Sequence, residues 1–227
     1  MKYKILITGA LLINAYFMQS CNDAGKTSPP ATEMDSSMNH SMPSDSMNSG
    51  MMNSDGGMMQ SMNNMMNKMH AMEISGDFDH DFANMMMMHH QGAIDMSELE
   101  NAKGTNTQIK TMAQSIITAQ KTEIAQMQQL IKDHKMPEAK QQPAELHKEL
   151  TASMNKMMDN MSSVKMMGNT DMDYVMMMIP HHEAAVKMAE AEISYGKQAA
   201  LKQMAKKMII DQNKEIKELR DWLAQNK

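Results

Sequence analysis

The sequence predicts an all-α protein: a four-helix bundle of ferritin-like arrangement, made of two duplicated helical hairpins joined by a long crossover and preceded by a disordered Met-rich tether. Three observations predict it. The chain repeats itself without a gap at a shift of 92 residues, so that "DFANMMMMHHQGAIDMSELE" (81–100) lies over "DYVMMMIPHHEAAVKMAEAE" (173–192). The same register sets "IKTMAQSIITAQKTEIAQMQQLI" (109–131) over "LKQMAKKMIIDQNKEIKELRDWL" (201–223); an ungapped match across two helices marks a duplication. Within each half, apolar residues recur at i, i+3, i+4 and i+7, whereas 22–76 has no such period through most of its length.

The elements follow in chain order. Residues 1–21, "MKYKILITGALLINAYFMQSC", place Lys2 and Lys4 before an apolar run too short to span a bilayer comfortably. The run ends at "MQSC", with Ser20 before Cys21, the only cysteine. This resembles a bacterial lipoprotein signal, with Met18 where leucine is usual. The resemblance implies cleavage before Cys21, lipidation of its thiol, and a membrane-anchored protein of the bacterial cell envelope facing the periplasm or the exterior. The alternative is an ordinary secretory signal with an incidental cysteine. An acylated Cys21 leaves no thiol for disulfides or metal, so a soft-metal site must use thioether or imidazole.

Residues 22–76 are Ser, Asn, Asp, Gly and Met, with too little branched or aromatic bulk to offset the entropy of ordering; they read as a disordered tether, with a nascent helix at 60–72. Met34, Met38, His40 and Met42 fall within nine residues, enough for a flexible segment to wrap one soft ion. Solvated linker and oxidant sink are the plainer readings of such methionines.

The bundle occupies 77–227, with repeats at 77–133 and 169–225. The second helix of each hairpin carries its apolar stripe at Ile109, Met112, Ala113, Ile116, Ile124, Met127 and Ile131, and at Leu201, Met204, Ala205, Met208, Ile216, Leu219 and Leu223. Gly104 and Gly196 stand at matching positions to end each first helix. Amphipathic hairpins must cover each other, and the link from His134 to Thr170, with a short helix marked by Leu146, Leu150, Met154, Met157 and Met161, makes the crossover. Pro180 is expected to kink the third helix or to mark a restart.

The chain holds 36 methionines in 227 residues, aromatics are 4%, and the net charge is −5. No basic stripe appears, so no nucleic-acid partner is expected. Met85, His89 and Met96 share one helical face, as do Met177, His181 and Met188, and each set forms a Met-His-Met column. His90 and His182 turn about 100° away and flank the columns. Imidazole with thioether suits Cu(I), with Ag(I) as a mimic; imidazole alone also accepts Cu(II) or Zn(II). The competing reading is a satisfied core, with the histidines bonded to Glu123 or Glu215, near Gln120 and Gln212.

"MMMMHHQGAIDMSE", "MMIPHHEAAVKMAEAEI" and "IIDQNKEIKELRDWL" resemble motifs of the bacterial domain of unknown function 305 family, over 77–227. The resemblance implies a ferritin-like helical bundle in the cell envelope, and some relatives bind copper or confer copper resistance. The first repeat departs from the proline form, with Met88 where the second has Pro180.

Three functions compete. The first is a lipid-anchored binding protein that sequesters copper or passes it to a copper-handling envelope partner. The second is a di-metal oxidoreductase, which needs Glu-x-x-His on two helices; no Glu in the chain has His three residues later. The third is a non-metal interaction module with a Met-rich core. The first is the expectation, with copper as Cu(I), no catalytic residues, and capture by the tether followed by retention at the columns.

Overall fold

Six helices and no strands make up the described residues of the computed structural model, which are 54–132, 134–135 and 144–226. The helices are α1 (Ser54–His70), α2 (Phe78–Lys103), α3 (Thr107–Lys132), α4 (Ala144–Ser162), α5 (Thr170–Tyr195) and α6 (Ala199–Gln225). Among them, none is long and apolar enough to cross a membrane. Cys21, Met34, Met38, His40, Met42 and the signal lie outside the described residues.

The first correction concerns the tether. Its expected span of 22–76 includes α1, which is an ordered helix packed on α2. Met58, Met62, Met65, Met66 and Met69 are all buried, at the i, i+4, i+7 spacing of one helical face. Composition hid this helix, because methionine alone supplies its apolar face; flexible thioethers fill a core as well as leucine does. The repeat is therefore longer than the two hairpins. Shifted by 92, Met58, Met62, Met65 and Met69 fall on Leu150, Met154, Met157 and Met161, which are the buried residues of α4. The link before α5 is thus the second repeat's copy of α1, and α4 packs on α5 as α1 packs on α2.

Local signals set each long helix. Asp77 caps α2 by accepting from the His80 amide, and Asn169 caps α5 by accepting from the Met172 amide. Just before each cap the backbone turns through a left-handed glycine, Gly76 (φ 87°) and Gly168 (φ 72°). The Asp81 carboxylate accepts from the Ser75 and Gly76 amides, and Asp173 does the same for Met167 and Gly168. Gly104 and Gly196 do end α2 and α5, but not in the left-handed conformation: their φ values are −64° and −62°. They are small for a different reason. A Cβ at Gly104 would lie 2.0 Å from the Glu100 carboxylate and one at Gly196 2.2 Å from the Glu192 carboxylate.

α5 runs unbroken through Pro180, so the expected restart does not occur. An interior proline costs about 3 kcal/mol. Burial of the helix face on both sides of it, from Tyr174 to Met188, offsets that cost.

α2 and α5 cross antiparallel at the centre, with α3 against α2 and α6 against α5. The Ser97 and Tyr174 hydroxyls bond at 2.9 Å in the core. At each end a buried aspartate caps the opposite hairpin. Asp171 accepts from the Thr105 and Asn106 amides at the start of α3, while Asp79 accepts from the Lys197 and Gln198 amides at the start of α6. These reciprocal caps lock the register of α2 against α5, and so place the two histidine pairs face to face.

Candidate metal centre

His89 and His181 meet across the pseudo-twofold axis, their ring centroids 3.7 Å apart and tilted by 39°. Both are fully buried. Burial pushes both imidazoles well below their ordinary range, and the neighbouring histidines push the same way; the backbone of the facing histidine opposes this weakly. The pair is therefore neutral at pH 7, with lone pairs rather than positive charge facing the core.

The flanking histidines do not point outward. His90 and His182 are also fully buried, because α3 and α6 cover that side of the columns. The Nε2 of His90 lies 2.8 Å from Glu123, and that of His182 lies 2.9 Å from Glu215. With Nε2–H donated to the carboxylate, each Nδ1 is left as an acceptor. A carboxylate behind an imidazole fixes its tautomer and raises its basicity, as in histidines that ligate metals.

Hydrogen bonding sorts a satisfied core from a donor set. Both nitrogens of His89 and of His181, and the Nδ1 of His90 and of His182, are buried without a well-formed hydrogen bond, the approach of His89 and His181 to each other's backbone being the nearest to one. Gln120 and Gln212 do not fill the gap, since buried amide atoms of their own lack partners. An unsatisfied buried polar group costs about 1–3 kcal/mol, and native cores leave few of them. Glutamate thus satisfies one nitrogen of each flanking ring and leaves six imidazole nitrogens without partners, of which one on each ring, four in all, carries the lone pair that a metal can take. Met85, Met96, Met177 and Met188 are buried in the same core cluster.

The histidines do not form a closed cage. Among the described residues, three His or carboxylate ligand atoms come within 4.8 Å of one another only at Asp77, Asp79 and His134. Imidazole pairs supplemented by thioether make a soft, low-coordinate donor set, which favours Cu(I) over Zn²⁺.

Two buried glutamates at the ends of the columns were given no role by the sequence reading. Glu100 and Glu192 continue the stripe of His89, Ala93 and Met96 and of His181, Ala185 and Met188 by one turn, a signal that was there to use. Burial and the Asp171 carboxylate push Glu100 up to about 8; burial and Asp79 push Glu192 up to about 9. Each is protonated at neutral pH and donates to its aspartate. Burial works against ionisation of Asp171 too, but the Asn106 amide, Glu100 and Thr105 together hold it below its ordinary value.

The family model for a domain of unknown function, DUF305, matches residues 18–131 and 79–223. No curated protein sequence matches the chain. Among solved structures, the chain is similar to a DUF305 protein from Streptomyces coelicolor, at 22% identity and a TM-score of 0.52, covering 67% of this chain and 94% of that one. It is also similar to CopM in its Cu(II)-bound form, at 26% identity and a TM-score of 0.50, covering 66% of this chain and 97% of that one.

Proposed function

The chain belongs to the DUF305 family, and from that premise we propose that it is a copper-binding lipoprotein of the bacterial cell envelope, which sequesters copper or passes it on rather than catalysing a reaction. The observation that carries the reading is the set of six buried imidazole nitrogens without partners. Similarity to CopM, whose solved structure holds Cu(II), supports it. Cu(I) is the expected cargo, with Ag(I) as its mimic and Cu(II) accepted through imidazole. The α2/α3 and α5/α6 hairpins are read as a ferritin-like four-helix bundle, with α1 and α4 laid against it.

His89, His181 and the Nδ1 atoms of His90 and His182 are the proposed imidazole ligands, and Met85, Met96, Met177 and Met188 the thioethers. Glu123 and Glu215 orient the flanking rings. Because His89 and His181 are already held neutral, no charge has to leave those two rings before metal binds, which favours binding at neutral pH. Met34, Met38, His40 and Met42 are proposed to capture the ion first, near a membrane to which Cys21 tethers the chain by its lipid.

The test is an anaerobic Cu(I) titration of 22–227 against a chromophoric competitor. It is repeated with His89, His90, His181 and His182 all changed to Ala, and separately with Met34, Met38 and Met42 changed to Ser and His40 to Ala. The expected result is loss of the tightest site in the first variant, with helicity retained, and loss of weaker sites in the second. Unchanged affinity in the folded quadruple variant refutes the core site.

A further inference from the structure

The geometry points to a second metal site, for a divalent cation of the Zn²⁺ class, formed by Asp77, Asp79, His134 and Glu192 at the N-terminal end of α2. It lies about 15 Å along that helix from His89, at 1.5 Å per residue, and it does not depend on the copper reading.

The ligand atoms of Asp77, Asp79 and His134 lie within 4.8 Å of one another. His134 follows the end of α3 and holds its Nε2 3.0 Å from Asp77 Oδ2. The second observation is Glu192, which enters from α5. It is fully buried, nothing but the Asp79 carboxylate is hydrogen-bonded to it, and Asp77 stands close behind, so a divalent ion would take the place of the proton that Glu192 and Asp79 share. Three carboxylates and an imidazole, with no sulfur, suit a borderline-to-hard divalent ion rather than Cu(I). The Lys197 and Gln198 amides already hold Asp79 in place, the kind of outer support that ligating carboxylates have. Asp77 and His134 are partly open, so an ion can reach the cluster from solvent.

The duplication supplies an internal control. At the mirror end Glu100 faces Asp171 in the same way, so the glutamate–aspartate contact belongs to the architecture of both repeats. The addition is particular to one end: Asn169 stands where the first repeat has Asp77, and Asn226 where it has His134. The backbone is alike at both places, with the His134 amide on the Ile131 carbonyl and the Asn226 amide on the Leu223 carbonyl. One end therefore has two ligand-bearing side chains exactly matched by two asparagines at the other.

The test is Zn²⁺ stoichiometry on the full chain by equilibrium dialysis at pH 7.5, for wild type, D77N/H134N and N169D/N226H. Asn caps a helix as well as Asp does, so D77N should not cost α2 its start. Zn²⁺ held elsewhere, on the tether or the core histidines, is common to all three and cancels. The expected result is one Zn²⁺ fewer in D77N/H134N and one more in N169D/N226H. Equal counts in wild type and a fully helical D77N/H134N overturn the proposal. If that variant loses helicity, E192Q decides: a Zn²⁺ affinity at least tenfold weaker supports the site, and an unchanged affinity overturns it. Since none of these substitutions touches His89, His90, His181 or His182, failure here leaves the copper reading standing, and failure there leaves this one.

Discussion

Replacing both Glu100 and Glu192 by Gln should abolish an alkaline loss of stability that the wild-type chain shows. In the fold these carboxyls keep their protons up to about 8 and about 9; in the unfolded chain they ionise near pH 4.3. A folded-state pKa raised in this way means that stability is fully present below the unfolded pKa and is lost as pH rises through the folded one. Between pH 7 and 8.5 the native state holds the protons that the unfolded state has released, so stability falls by about 1.4 kcal/mol per pH unit for each protonated group. Glu192 contributes about 2 kcal/mol over that window, and Glu100, which titrates within it, about 1 kcal/mol. For a chain of this size about 3 kcal/mol lowers the melting temperature by roughly 6–12 °C. His89 and His181 are already neutral in the fold in this window, and unfolded histidines are mostly neutral above pH 7. Glutamine retains a donor toward Asp171 and Asp79 but cannot ionise, so E100Q/E192Q should melt at the same temperature across the window. The assay is thermal unfolding followed by circular dichroism at several pH values, with chelator present to exclude metal. A wild-type profile as flat as that of the variant would refute protonated, buried glutamates.

Four further outcomes are expected. H89L/H181L should raise stability by about 1–3 kcal/mol at pH 7 in chelator, because orphaned nitrogens leave the core, while Cu(I) binding is lost; a chemical-denaturation curve checks the first and the competitor titration the second. The wild type should also weaken below pH 6.5, where unfolded histidines charge and His89 and His181 resist doing so, and this acid slope should be smaller in H89L/H181L. M62A should destabilise by about 2–5 kcal/mol through the cavity it leaves, and should expose α1 to limited proteolysis; an unchanged melting curve would return α1 to the status of a linker. G104A drives a Cβ to 2.6 Å from the Glu100 carbonyl as well as into its carboxylate, which should cost about 1–3 kcal/mol in overpacking, read from urea midpoints.

The sequence by itself determined the helical class, the duplication and the central histidines. Those rest on periodicity and self-similarity, which are properties of the chain read along its length. The 3.6-residue stripe identified α3 and α6, and the repeated "HH" marked the middle of α2 and α5. Local composition misjudged α1, since a helix whose apolar face is all methionine looks like the Met-punctuated linker before it; the copy at α4, with Leu150 in place of Met58, carried the correction at the same shift of 92. The restart weighed at Pro180 does not occur for the converse reason: a local helix-breaking cost is outweighed by burial that only neighbouring helices provide. Glu123 and Glu215 were legible as partners of the histidines, but tertiary structure decided which nitrogens they reach: Glu123 meets His90 across 33 residues, while His89 faces His181 from the other repeat. It also decided that Glu100 and Glu192 are protonated, a consequence of where Asp171 and Asp79 lie. Hydrogen-bond satisfaction and proton affinity depend on what surrounds a group in three dimensions, and a repeat pattern specifies the helices without specifying the atoms they bring together.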